Sequence, residues 1–288
     1  MKLAVLGTGT MGQGIAQLAA TSGYDTRVYD VASQRVKHAM DAIAAQLDKL
    51  VSKGKLDATA QKDAIARLSM ANDVPTACAG VDVVIEAVPE DMGLKVALFR
   101  EVIAASPENA LLGSNTSSLS ITELGAKIGA ADRTIGLHFF NPPPVMELLE
   151  VVRGLATSEE TVTRALALAK SLKKTPIVVS DVPGFASSRL GVILGAEAIR
   201  MLESGVASAE DIDRAMELGY RHPMGPLKLT DLVGLDVRLA ILEHLHREIG
   251  EQFRPPALLR KMVRAGKLGK KVGEGFYQWK DGQPVSRS

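Results

Sequence analysis

A short apolar run, Lys2 to Leu6, leads into Gly7-Thr8-Gly9-Thr10-Met11-Gly12, and helical periodicity follows in Ile15, Ala16, Leu18 and Ala19. Few folds accept a strand that enters a glycine turn and leaves it as a helix. Gly7 makes the tight turn, Gly9 lets backbone N–H groups approach a pyrophosphate, and Gly12 lets helix and strand pack closely. Thr10 and Met11 belong to the same turn, whose amides open the helix. The next apolar run, Thr26 to Tyr29, ends at Asp30, 18 residues past Gly12. A spacing of about 20 is expected for an acid that holds a ribose 2′-hydroxyl. A carboxylate there repels a 2′-phosphate, so NAD is expected over NADP; Arg35 is the one nearby basic residue that argues otherwise.

The following stretches place polar residues at the same sheet edge. Ser33 to Val51 and Ala58 to Leu68 read as helices. Lys49 and Lys53, four apart, share a face there, either as solvated charge or as a landing place for a phosphorylated substrate. Val81 to Val88 reads as a buried strand interrupted by Glu86. Residues just past a strand's carboxyl end line the crevice of a doubly wound sheet, which makes Glu90 and Lys95 candidates near a nicotinamide; the alternative is a surface ion pair. The strand Ala110 to Gly113 runs into Ser114-Asn115-Thr116-Ser117-Ser118. Ser118 is expected to cap the next helix, and Ser117 to hydrogen-bond a substrate oxygen. Thr134 to Leu137 then delivers His138. Pro142, Pro143 and Pro144 force a turn, and the run Val145 to Val152 carries Glu150 back. An imidazole titrates near neutrality, and a carboxylate on its second nitrogen fixes the tautomer and stabilises the charged form. A strand-end histidine and a solvent-facing glutamate are the plainer alternative. Convergence of glycines, acids, serine and histidine on one edge favours the catalytic pair.

Ser158 to Leu172 reads as a helix and Thr175 to Ser180 as a strand. Asp181-Val182-Pro183-Gly184 marks a boundary, giving domains at 1–182 and 183–288. The second half reads as helices: Phe185 to Leu202, a helix capped by Ser208, a break at His222 to Pro226, then Thr230 to Ile249 and Pro255 to Ala265. The expected architecture is α/β, a Rossmann-type doubly wound sheet followed by an all-helical C-terminal domain that closes a substrate cleft and supplies a homodimer interface. His244 and His246 point different ways on a helix, so no metal site is expected. The 34 Lys and Arg against 33 Asp and Glu leave no basic footprint for nucleic acid. No run approaches the roughly 18 apolar residues of a membrane span. Cys78 is the only cysteine, so no intramolecular disulfide can form. It is expected as a small buried hydrophobe in a protein of a reducing, cytoplasmic compartment.

These stretches resemble the 3-hydroxyacyl-CoA dehydrogenase family in its short single-function form. The likeness covers almost the whole chain: Gly7 to Gly12, Ile85 to Glu90, Ser114 to Ser118, Gly136 to Pro142, Asp181 to Phe185 with Arg189, His222 to Pro226, Asp231 to Asp236, and Gly269 to Tyr277. The resemblance implies NAD-dependent, reversible oxidation of an (S)-3-hydroxyacyl-CoA, with 3-hydroxybutyryl-CoA as the expected acyl-CoA substrate. It places the catalytic histidine on His138, its partner on Glu150 and a substrate-contacting serine on Ser117. NAD-binding positions fall on Asp30, Glu90, Lys95, Ser117 and Asn141, and a lysine near CoA falls on Lys53. Ser188 stands where the family commonly has Asn. A serine offers one O–H donor in place of two N–H donors, a difference that bears on acyl-length preference. Two other readings remain: a related dehydrogenase acting on a non-CoA 3-hydroxy acid, and a non-catalytic NAD-binding protein.

Overall fold

Continuous apolar runs dominate the first half of the chain, and such runs are strands covered on both faces. The computed structural model describes residues 1–285. The chain divides into two compact units, Met1–Val182 and Pro183–Ser288.

In the first unit, β1 (Lys2–Leu6) enters the glycine turn and α1 (Thr10–Thr21) leaves it. Next come β2 (Asp25–Tyr29), α2 (Ser33–Ser52), α3 (Ala58–Ala66), β3 (Leu68–Met70) and α4 (Val74–Cys78). The chain continues through β4 (Val83–Glu86), α5 (Met92–Ala105), β5 (Leu111–Ser114), α6 (Ile121–Ile128) and β6 (Thr134–Phe139). It closes the unit with β7 (Leu148–Arg153), α7 (Glu159–Ser171) and β8 (Thr175–Ser180). The strands form one eight-stranded sheet in the order β3-β2-β1-β4-β5-β6-β7-β8. Pairing is parallel from β3 through to β6, and β7 then pairs antiparallel with β6 and parallel with β8. Alternate side chains of one strand feed opposite faces. Leu3, Val5, Val83 and Ile85 enter one core, and Ala4, Leu6, Val84 and Leu112 the other. The strand order reverses between β1 and β4, the switch point where such sheets bind ligands.

The second unit packs α8 (Ser187–Glu203), α9 (Ala209–Gly219), α10 (Pro226–Val233), α11 (Leu235–Glu248) and α12 (Ala257–Arg264). Its core is built on Val192, Ile199, Leu227, Leu242 and Leu259. A small antiparallel hairpin of β9 (Gln278–Lys280) and β10 (Gln283–Val285) follows the helices and amends the expectation of helices alone. The buried Asp231 carboxylate anchors this segment by accepting from Phe276 N, Tyr277 N and Trp279 Nε1 at 2.8–2.9 Å.

Three local expectations are corrected. The helix read as Thr230 to Ile249 is two helices, because Gly234 between them takes φ +104°, outside helical space. Pro226 begins the first of the two, at a helix position that needs no N–H. Lys53 is the residue just past the end of α2, so it does not extend a helical face with Lys49. Ser118 does not cap α6; Ser120 does, its Oγ accepting from Glu123 N at 3.1 Å.

Candidate active site

Gly7 takes φ +98°, and a Cβ there would lie 2.6 Å from the carbonyl oxygen of Ala87. A Cβ on Gly12 would lie 1.8 Å from the carbonyl oxygen of Gly7. Both glycines are therefore demanded by the chain's own packing. Gly9 differs: it is exposed, and a Cβ on it would meet no protein atom within 4 Å. The turn thus keeps a bare backbone where nothing in the protein requires one, as a cradle for a pyrophosphate does. The first amides of α1 point the same way, since the opening N–H groups of a helix lack intrahelical partners. A cavity of about 520 Å³ opens at this switch point, lined by Gly7, Gly9, Met11, Asp30, Arg35 and Val88 among others. Thr10 belongs to the same lining.

Asp30 follows β2, and its Oδ2 accepts from both the amide and the hydroxyl of Thr8 at 2.9 Å. Its Oδ1 accepts from Ala32 N at 3.1 Å. Burial pushes the carboxyl up, but these bonds and the Arg35 charge outweigh it and hold Asp30 below its ordinary range. An ionised acid thus stands beside the glycine turn, as recognition of a ribose diol requires. These residues fit NAD.

The next strand ends carry a linked polar network. Glu86, fully buried at the end of β4, accepts from Lys95 Nζ, Ser114 Oγ and Val88 N at 2.6–2.7 Å. Lys95, on α5, is 1% exposed and lies 3.3 Å from Glu90 Oε2 as well. Of the expected pair, Glu90 is exposed at 36% and Lys95 is buried, and a cation this buried needs the carboxylates around it. Glu90 Oε1 in turn collects Thr116 Oγ1 at 2.7 Å, Ser117 N at 2.9 Å and Ser118 Oγ at 3.0 Å. Burial raises Glu90, yet the Thr116 hydroxyl, the Lys95 charge and the Ser117 amide prevail and hold it below the usual carboxylate range. The exposed Ser117 hydroxyl lies 3.3 Å from the same oxygen. This chain of bonds fixes the backbone that presents Ser117.

His138 lies within β6, opposite Glu150 on β7 in the sheet register. His138 Nδ1 donates to Glu150 Oε2 at 2.7 Å. A carboxylate can only accept, so Nδ1 is the ring nitrogen that gives Glu150 a proton, and Nε2 is the nitrogen turned away from it. Glu150 is fully buried and His138 8% exposed, with the Phe140 ring 4.7 Å from the imidazole. Asn115 Oδ1 accepts from Phe139 N at 3.0 Å and ties the end of β6 to the loop after β5. Asn141 is exposed just beyond, at the start of the proline turn. Lys53 is exposed at the end of α2, and Ser188 sits half-buried in the first turn of α8. Among the described residues no cluster could hold a metal ion. Cys78 is buried, which pushes its thiol up to about 12. No described helix is long and apolar enough to cross a membrane.

Glu86, Thr8, Thr116 and Asn115 escaped the sequence reading as partners in this site. For Glu86 a signal existed: a lone carboxylate inside an apolar strand demands a buried cation. The other three act through backbone geometry that no spacing reveals.

Residues 2–182 match the family model described as 3-hydroxyacyl-CoA dehydrogenase, NAD binding domain, and residues 184–279 match its C-terminal domain. The chain belongs to the 3-hydroxyacyl-CoA dehydrogenase family. It is 46% identical over 281 residues to a probable 3-hydroxybutyryl-CoA dehydrogenase of Bacillus subtilis, covering 97% of this chain and 98% of that one. A 3-hydroxybutyryl-CoA dehydrogenase of Clostridioides difficile is 43% identical, with 97% and 99% covered. The crystal structure of (S)-3-hydroxybutyryl-CoA dehydrogenase from Ralstonia eutropha superposes with a TM-score of 0.93 at 42% identity, covering 97% of this chain and 99% of that one. As a 3-hydroxyacyl-CoA dehydrogenase the protein is an oxidoreductase, and NAD is its cofactor. The family's Rossmann-type sheet is the eight-stranded sheet of the first unit, and its helical C-terminal domain is the second.

Proposed function

We propose that this dehydrogenase reversibly oxidises (S)-3-hydroxyacyl-CoA to 3-oxoacyl-CoA, with 3-hydroxybutyryl-CoA as substrate, through His138 and Glu150. The observation that carries the reading is the 2.7 Å bond from His138 Nδ1 to the fully buried Glu150. With Nδ1 turned to that carboxylate, Nε2 is the atom that takes the substrate's hydroxyl proton in oxidation and returns it in reduction. Glu150 holds the ring in this orientation and stabilises the imidazolium that forms. Bound NAD supplies the hydride acceptor. Ser117 hydrogen-bonds the reacting oxygen, held in place by the Glu90 network. The backbone at Gly9, Thr10, Met11 and Gly12 receives the pyrophosphate, and Asp30 the adenosine ribose. Glu90, Lys95 and Asn141 shape the nicotinamide end. Lys53 meets the CoA phosphates, and Ser188 hydrogen-bonds the acyl portion.

A homodimer and a cytoplasmic location belong to the same reading. Leu190, Leu218 and Tyr220 on the second unit are 69–75% exposed, apolar side chains of the kind a second copy would cover. The test of function is NADH oxidation with acetoacetyl-CoA beside a panel of free 3-keto acids. Turnover of the thioester at ordinary enzymatic rates, far above that of the free acids, is expected. Activity confined to the free acids, or NAD binding without any turnover, would overturn the assignment.

A further inference from the structure

Pro142, Pro143 and Pro144 supply no N–H, so the turn between β6 and β7 cannot bond itself in place as a ladder does. Its carbonyls still need donors. Lys174 provides them: its Nζ donates to Pro143 O at 2.6 Å and to Met146 O at 2.7 Å. Lys174 is 7% exposed, and an ammonium this buried needs partners. Burial draws its pKa below the ordinary lysine value, and the charge of the exposed Glu147 offsets part of that. The chain accepts a strained backbone to put the lysine there. Lys173, between α7 and β8, takes φ +57°, a left-handed conformation unfavourable for a residue with a Cβ.

The other side of the turn rests on the helix that opens at the glycine turn. Gly14 lies inside α1, and a Cβ on it would fall 2.6 Å from Pro143 Cδ and 2.9 Å from Pro143 Cγ. Glycine weakens a helix at an interior position; here it admits the proline ring. The turn is thus held from two sides, by α1 under Pro143 and by the Lys174 ammonium on its carbonyls. The register that sets Glu150 opposite His138 ends at Phe139↔Leu149. Phe140, whose ring lies 4.7 Å from the imidazole, and Asn141 come after it, at the entrance to the turn.

We propose that Lys174 is a positioning residue for hydride transfer: by clamping the proline turn against α1 it holds Phe140 and Asn141 in place beside His138. This rests on the function proposed above, in which Asn141 shapes the nicotinamide end and His138 moves the proton. Lys174 acts through the main chain of the turn. Because α1 also opens on the pyrophosphate cradle, the clamp ties the histidine side of the site to the part that anchors the cofactor. Loss of the ammonium leaves the cradle intact and frees the turn, which harms alignment more than binding. A misplacement of about 1 Å at a reacting centre can cost about 10²-fold in rate.

Lys174→Met keeps the apolar stem and removes the donors. In the protein without cofactor, amide hydrogen exchange should quicken across residues 139–149 and stay unchanged across residues 7–12. With acetoacetyl-CoA and NADH, kcat should fall by about 10- to 100-fold while NADH affinity changes by less than about threefold. The isotope effect on kcat with NADH deuterated at C4 should rise, because a misaligned hydride transfer becomes the slow step. Gly14→Ala leaves the lysine in place and presses on Pro143 from the other side; it should also lower kcat and raise the isotope effect. Wild-type kcat and isotope effect in a folded Lys174→Met overturn the proposal. So does a loss of kcat matched by an equal loss of NADH affinity, which would make the lysine a support of the cradle alone. Unaltered exchange across residues 139–149 removes the clamp itself. If Lys174→Met does not fold, Gly14→Ala decides: wild-type kinetics there overturn the proposal, and so does its failure to fold, which would assign both contacts to stability. A wild-type protein that reduces no thioester removes the proposed function and the role in hydride transfer with it, while the exchange measurement still reports on the clamp.

Discussion

Glu150 stands directly opposite His138 in β6 and β7, the one antiparallel pair in the eight-stranded sheet, with Oε2 2.7 Å from Nδ1. Opposed residues in an antiparallel ladder hold their Cβ atoms about 5 Å apart, so the register itself brings the two side chains together. A slip of one residue would send Glu150 to the other face of the sheet. The proline turn at 142–144 and the pairing from Gly136↔Val152 to Phe139↔Leu149 are what keep that register.

Glu150→Gln should leave the fold intact and cut kcat by about 10²- to 10⁴-fold, the range of a lost acid–base function. The amide keeps the shape but offers the imidazolium no counter-charge. Circular dichroism and steady-state kinetics with acetoacetyl-CoA check this. A kcat within twofold of wild type would dissolve the pair.

The glycines of the turn should separate by role. Gly9→Ala meets no protein atom within 4 Å, so its melting temperature should be unchanged while its NAD affinity falls. Gly12→Ala drives a methyl to 1.8 Å from the Gly7 oxygen, which should cost about 1–3 kcal/mol or more of stability. Thermal melts and NADH titration of both variants test the distinction.

Lys95→Ala would strand the fully buried Glu86 carboxylate, now bonded by the lysine at 2.6 Å. The expected loss is about 3–5 kcal/mol, seen as a lower midpoint in urea. Pairing Lys95→Met with Glu86→Leu should recover much of it, since the uncompensated charge is removed along with its partner.

Acid should unfold the protein partly through Asp30. Its folded pKa is lowered from 3.8, so the unfolded chain binds this proton more readily than the folded one. The stability it contributes is full above the unfolded value and is lost as pH falls through the folded value. Asp30→Asn should flatten the fall in melting temperature below pH 4 and weaken selection of NAD over NADP. An unchanged acid slope would count against the ionised acid beside the turn.

Much of this was legible in the residues themselves. The strand–glycine turn–helix run and Asp30 fixed the nucleotide-binding half, because local geometry there follows from residue type. Apolar periodicity located most elements for the same reason. Short segments such as β3, α4 and the closing hairpin were missed, since they exist through their neighbours and carry little pattern of their own. The two-helix break at Gly234 depended on one residue's left-handed backbone, which a continuous apolar pattern conceals. Spacing alone brought Glu150 back toward His138, but only sheet register placed them face to face. The burial of Glu86 with Lys95 could be decided by the tertiary structure alone. Whether a charge is compensated depends on what the fold carries to within a few ångströms of it, and sequence separation does not report that distance.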